Sequence, residues 1–313
     1  MNVLATTSQS VLLVDCMTGQ ASVVHRGAGL YYGIARIGSL RAVAARRRLV
    51  SSPVPRIDER GCILLFDERL RQSEVVEAPF PLRDIHEIAW FDGRLWVTCS
   101  FDDMIAVYDG AAWERWTPEL PVAGAARPVR DVENDRHHFN SLLFTRDEIA
   151  LLAHNHGPSD VHFFERCARS FTRSVELGTQ AHNLWQEDQA LFTCSSIEGK
   201  LVSSSGWELS TGDFPRGVCF TPTCRAVGLS ALSERGHRDF ASAAIAVHDA
   251  SWNVLHYVHL VREGMILDLA TATATDVAHA RRGGFETCRF PLLPQLTRAD
   301  LAADQDSSGD VSR

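Results

Sequence analysis

The chain has 313 residues, 45% hydrophobic and 22% charged, with a formal net charge of -8. That balance allows a substantial apolar core and argues against nucleic acid, whose phosphates call for a basic face. Lys200 is the single lysine, so no P-loop lysine is present, no nucleotide cofactor is expected, and only one side chain is open to Schiff-base chemistry.

In chain order, the opening MNVLATTSQSVLLVDCMTG lacks a basic leader region, and no stretch approaches membrane-spanning length, so no membrane partner is expected. The eight cysteines lie scattered without framework spacing, the pattern of reduced thiols in a cytoplasmic protein. From Tyr32 the chain reads YGIARIGSLRAV, two apolar runs around a hairpin turn. The same unit returns as HEIAWFDGRLWV from His86, NSLLFTRDEIAL from Asn140, HNLWQEDQALF from His182 and RGVCFTPTCRAV from Arg216. Between these units lie ILLFD, IAVYD, VHFFE and IAVHD, ending at Asp67, Asp109, Glu165 and Asp249; VLLVD, ending at Asp15, is a fifth copy. An acid there suits a turn between third and fourth strands, where it bonds its own backbone.

Repeated four-strand units point to radial repetition. Residues 2–26 lack a first strand, whereas EGMILDLATAT from Glu263 is a first strand with no partners after it. Ring closure accounts for both: an all-β, six-bladed β-propeller over residues 1–276, its last blade shared between the termini. Residues 277–296 are expected to pack across it, and the polar residues 297–313 to form a disordered tail.

In such a blade the second strand returns to the face where the innermost strand begins. Tyr32, His86, Asn140, His182, Arg216 and Glu263 are then expected around one mouth of the central channel. Arg46, Ser100, His154, Ser195 and Ser230 reach it from the second strands, and His138, His156, Glu234, Arg235 and His237 from loops. Imidazoles from separate blades make good first-row metal ligands, so His86 and His182, with Asn140, form the expected metal set. His138 and His154 are the expected proton carriers, with Glu263 and Tyr32 as further acid–base groups. Arg216, Arg46, Ser100, Ser195 and Asn183 are the expected substrate contacts. The two arginines would also keep the imidazoles neutral. The plainer alternative is a polar channel mouth whose side chains satisfy one another around water.

With these rings laid out, the chain resembles the six-bladed propeller superfamily that includes gluconolactonase-like, paraoxonase-like and strictosidine-synthase-like proteins, over residues 2–272 and through repeat pattern. The resemblance implies a divalent metal held in the channel by Asn, Glu and Asp side chains. FNSL with Asn140 and HNLW with Asn183 are similar to the inner strands of that group, and Glu263 would stand for the acidic ligand. His86 and His182 depart from that oxygen-donor set and favour Zn, Fe or Mn over Ca. Three functions stay open. One is a metal-assisted hydrolase, lyase or isomerase acting on a small polar carbonyl substrate. Another is a metal-free acid–base enzyme of the strictosidine-synthase-like kind. The third is a non-catalytic propeller that presents loops to a protein or ligand.

Overall fold

A computed structural model describes residues 1–121, 135–231 and 237–302. Six antiparallel sheets form the expected all-β propeller. Blade 1 consists of Tyr31–Ile37, Leu40–Ala45, Cys62–Phe66 and Gln72–Val76, and blade 2 of Ile85–Phe91, Arg94–Cys99, Met104–Tyr108 and Trp113–Trp116. Blade 3 comprises Phe139–Phe144, Glu148–Ala153, Pro158–Glu165 and Phe171–Thr179; blade 4 comprises Ala181–Glu187, Ala190–Ser195, Lys200–Ser203 and Glu208–Ser210. Blade 5 is built from Phe214–Phe220, Cys224–Ser230, Ala243–Asp249 and Val254–Leu260. In the closing blade, the C-terminal Ile266–Thr271 pairs with Asn2–Thr7, followed outward by Ser10–Asp15 and Gln20–Arg26. Both termini therefore enter one sheet.

Local chemistry explains the hairpins. In FDG, Asp92 and Gly93 both have positive φ, 51° and 71°, the two-residue turn whose twist matches antiparallel strands. The acidic column behaves as expected. Asp15, Asp67, Asp109 and Asp249 each accept backbone N–H groups two to four residues on, closing the turn between third and fourth strands. Apolar residues fill the spaces between blades: Trp96, Ile105, Phe139, Leu151 and Phe164 join blades 2 and 3. Val3, Leu12, Val14, Ile245 and Val258 join the closing blade to blade 5.

The C-terminal extension begins with helix α1, Ala274–Arg282, capped reciprocally by Thr273 and Asp276. Asp276 also forms a buried ion pair with Arg41 of blade 1, whose Nη2 donates to both carboxylate oxygens at 3.0 and 2.7 Å. Glu286–Arg289 then adds a fifth strand to the closing blade, and Leu292–Leu293 adds one to blade 5. Arg298–Ala302 forms a short helix, α2, within the region read as tail; residues 303–313 lie outside the described residues. No helix is long and apolar enough to cross a membrane.

Candidate functional site

Every blade breaks strand pairing at the same point. The register between innermost and second strands shifts after Tyr31, Ile85, Phe139, His182 and Pro215, and at Thr6/Thr7 opposite Leu267 in the closing blade. A bulge adds residues to one strand and re-aims their side chains. The bulged residues are Tyr32–Gly33, His86–Glu87, Asn140, Asn183, Arg216–Gly217 and Leu267, so nearly all candidate residues on the innermost strands are bulge residues. The repeated TCS explains how the disrupted backbone is satisfied: Thr98 Oγ1 accepts the Glu87 N–H, and Thr193 Oγ1 donates to the Asn183 carbonyl. Two bulges need glycine for space. A Cβ on Gly33 would sit 2.4 Å from Ile88 N, and one on Gly217 would sit 2.8 Å from Leu269 N.

At the mouth, four buried imidazoles close a ring. Centroid separations are 4.7 Å for His86–His138, 4.9 Å for His138–His154, 5.2 Å for His154–His182 and 6.0 Å for His182–His86. His156 lies beside the ring, tilted at 59° and 4.9 Å from His138. Hydrogen bonds fix each tautomer. His86 Nδ1 donates to the Asp84 carbonyl at 2.8 Å, and His138 Nδ1 donates to Asp135 Oδ1 at 2.7 Å. His182 Nδ1 donates to Ser196 Oγ, whose own proton goes to the Pro215 carbonyl. Ser100 has the same relation to His86: its Oγ donates to the Phe139 carbonyl and lies 3.1 Å from His86 Nδ1. So His86, His138 and His182 keep unprotonated Nε2 atoms, and the first two meet at 3.3 Å. His154 is the reverse: its Nδ1 accepts the His156 N–H at 3.1 Å, leaving the proton on Nε2. Burial pushes all four imidazoles below their usual range, helped by the Arg216 charge at His86, His154 and His182 and opposed by Asp135 at His138. Asn140 donates to the Ala181 carbonyl, while its buried Oδ1 has no hydrogen-bond partner.

The donor sets that converge closely are Asp84, His86 and His138, and Asp135, His138 and His156. Asp84 is already paired with Arg46 and Arg56, so the imidazoles are the better ligands of the first set. Asp135 orients His138 and also faces His156 Nε2 at 3.4 Å. Burial would raise the Asp135 carboxyl, but its bonds from His138 and His156 and the Arg56 charge hold it well below the usual carboxylate range. His182, on the innermost strand of blade 4, stacks 6.0 Å from His86 and lies outside those tight sets; Asn140 is on the innermost strand of blade 3.

Several expected roles change in three dimensions. Glu263 precedes the closing strand instead of entering the ring; its carboxylate takes Ser10 Oγ at 2.5 Å and Arg26 at 2.6 Å. The equivalent bulge falls at Leu267, which the register skips, with Asp268 beside it paired to Thr6. Arg46 is not a free substrate contact: it clamps Glu59 at 2.7 and 2.5 Å and also pairs with Asp84. Ser100 Oγ contacts His86 Nδ1 at 3.1 Å, and the matching partner of His182 is Ser196, at 2.9 Å, not Ser195. Ser195 Oγ instead accepts the Thr179 N–H and bonds Glu198. Tyr32 does reach the mouth, its ring 4.9 Å from His86 and its hydroxyl 3.3 Å from Arg46 Nη1. His237 is exposed, and Glu234 and Arg235 lie outside the described residues.

Asn183 turns down the channel. Its Oδ1 accepts the Gly217 N–H at 2.7 Å, and its Nδ2 approaches Asp268 Oδ1 at 3.4 Å. With Glu87, Asp268 and the apolar wall of Ile34, Leu184, Trp185 and Phe220, it lines a cavity of about 150 Å³. Burial, and then the neighbouring Asp268, push the Glu87 carboxyl up to about 8; burial raises Asp268 to about 6. Asp268 and Asp135 escaped the sequence reading; the polar Asp in ILDLAT was the one available signal for the former.

No family model and no curated protein matches this sequence. Among solved structures, the chain is similar to one titled as the crystal structure of a nidogen/laminin complex: TM-score 0.61, 10% identity, covering 86% of this chain and 97% of that one. It is equally similar to a protein of unknown function from Bacteroides caccae, with TM-score 0.61, 11% identity and the same coverage. At such identity these likenesses speak for the propeller fold alone.

Proposed function

We propose that the protein is an enzyme acting on a small polar carbonyl compound at the channel mouth, assisted by a divalent metal at the imidazole ring. One observation carries this reading: His86 and His138 present lone-pair Nε2 atoms 3.3 Å apart, with both Nδ1–H groups committed to oxygen acceptors. Two neutral imidazoles gain nothing from facing lone pairs, whereas two nitrogens bound at about 2.0–2.1 Å to one tetrahedral ion lie roughly 3.4 Å apart. The hydrogen-bonded Nδ1 atoms match the outer partners that orient metal-bound histidines. His182 Nε2 and the orphan Asn140 Oδ1 offer further donors. The nitrogen-rich set favours Zn, Fe or Mn.

A bound ion would supply Lewis acidity toward a carbonyl oxygen or an activated water. The remaining tasks fall to the chain. His154 carries its proton on Nε2 and is the hydrogen-bond and proton donor of the ring. Ser100 and Ser196 hold two rings in one tautomer, and burial keeps the imidazoles neutral. Metal analysis of purified protein tests the reading. Stoichiometric Zn, Fe or Mn, lost in both His86→Ala and His138→Ala, is expected; protein that neither holds nor is stabilised by any of these ions overturns it.

A metal-free acid–base enzyme is the second reading, favoured by the cavity in which Glu87, Asn183 and Asp268 converge. On that reading Glu87→Gln abolishes turnover at unchanged metal content, and His138→Ala leaves turnover intact.

A further inference from the structure

Three arginines of the described chain are nearly inaccessible: Arg41, Arg46 and Arg216, at 5%, 6% and 7% exposure. Arg41 has Asp276 and Arg46 has Glu59 and Asp84. Among the described residues, Arg216 has no carboxylate in ion-pair contact. Its guanidinium lies over the Tyr32 ring, 4.8 Å from the centroid, and that ring lies 4.9 Å from His86. Asp268, whose charge it senses without ion-pair contact, already accepts N–H groups from Ile34 at 2.9 Å and Leu269 at 2.8 Å. A buried cation without its counter-charge is costly, and a folded chain retains one where a ligand supplies the missing anion.

We infer that Arg216 is the receptor for a substrate carboxylate, so that the compound handled at the mouth is a small oxo- or hydroxy-acid. The assignment rests on the reading of the mouth as the ligand site and adds the substrate class. A guanidinium matches a planar carboxylate through two parallel hydrogen bonds. A phosphate dianion fits less well, because the carboxylates of Asp84 and Asp135 stand at the same mouth. Arg216 and His86 both contact Tyr32, the guanidinium 4.8 Å and the imidazole 4.9 Å from its ring centroid, so a carboxylate on Arg216 would be held at the same residue that borders the imidazoles.

Titration of the full-length protein with pyruvate and lactate, against pyruvamide and lactamide as uncharged counterparts, tests this, with metal content measured on each sample. Wild type is expected to prefer the acids by on the order of tenfold or more. Arg216→Gln loses that preference, and Arg216→Lys, which keeps the charge but not the fork, retains part of it. Arg216→Lys also decides the matter if Arg216→Gln fails to fold. Equal binding of acids and amides, no binding of either acid, or an acid preference that survives Arg216→Gln overturns the assignment. An Arg216-dependent preference in protein that holds no metal upholds it while removing the metal reading.

Discussion

Arg46 and Arg216 both lie against the Tyr32 phenol, and the two halves of the mouth around them are built differently. On the blade 1–2 side, Arg46 is neutralised by Glu59 and Asp84, and Arg56 ties Asp84 to Asp135. On the blade 5 side, Arg216 faces imidazoles and a phenol, with its charge felt across the ring. The first half is an internally closed electrostatic clamp that fixes loops. The second leaves positive charge pointed at the place where a ligand would sit. Burial alone therefore does not separate structural from ligand-facing arginines; what separates them is whether the chain supplies the partner.

The contrast can be broken by substitution. Arg46→Met removes the two-point partner of Glu59, leaving that buried anion only Arg48 at 3.6 Å, and leaves Asp84 to Arg56 alone. It is expected to destabilise by about 3 kcal/mol in chemical unfolding; a loss below about 1 kcal/mol would deny the clamp. Deeper in the channel, Asp268 has its folded-state carboxyl at about 6 against an ordinary value of 3.8. The raised value means that stability is full below about pH 4 and falls as pH rises toward 6, by on the order of 3 kcal/mol. Asp268→Asn should flatten unfolding free energy across that window; an unchanged slope would show that Asp268 is ionised throughout. The smallest effect belongs to Arg216→Met. Removing an unpaired buried cation should leave the free protein as stable as wild type or up to about 1 kcal/mol more stable. A loss comparable to that of Arg46→Met would mean that Arg216 has a structural partner after all.

Much of the fold was legible because the repeat writes each blade out in full. The hairpin columns from Tyr32, His86, Asn140, His182 and Arg216 and the acidic turns at Asp15, Asp67, Asp109 and Asp249 are local patterns, and local hydrogen bonds realise them. Less of the site was legible. The bulge is a register shift between two strands that a single strand's pattern does not mark, and in the closing blade it falls beside Asp268, which lines the cavity, while Glu263 ends on Ser10 and Arg26. A one-residue offset in the short helical turn after Cys194 exchanges Ser195 for Ser196. The partner that removes Arg46 from the site, Glu59, lies in an irregular loop with no repeat to mark it.

By itself, the sequence determined blade number, ring closure through both termini and the gathering of histidines at one mouth, because these follow from alternation, turn chemistry and copy-to-copy equivalence along the chain. Only the tertiary structure decided which nitrogen of each imidazole is free, which arginine is spent on a neighbour and which is left open, and where the channel acids sit. Those choices depend on hydrogen bonds and charges between residues far apart in the chain, such as His86 with His138 and Arg41 with Asp276, whose distances no local pattern encodes.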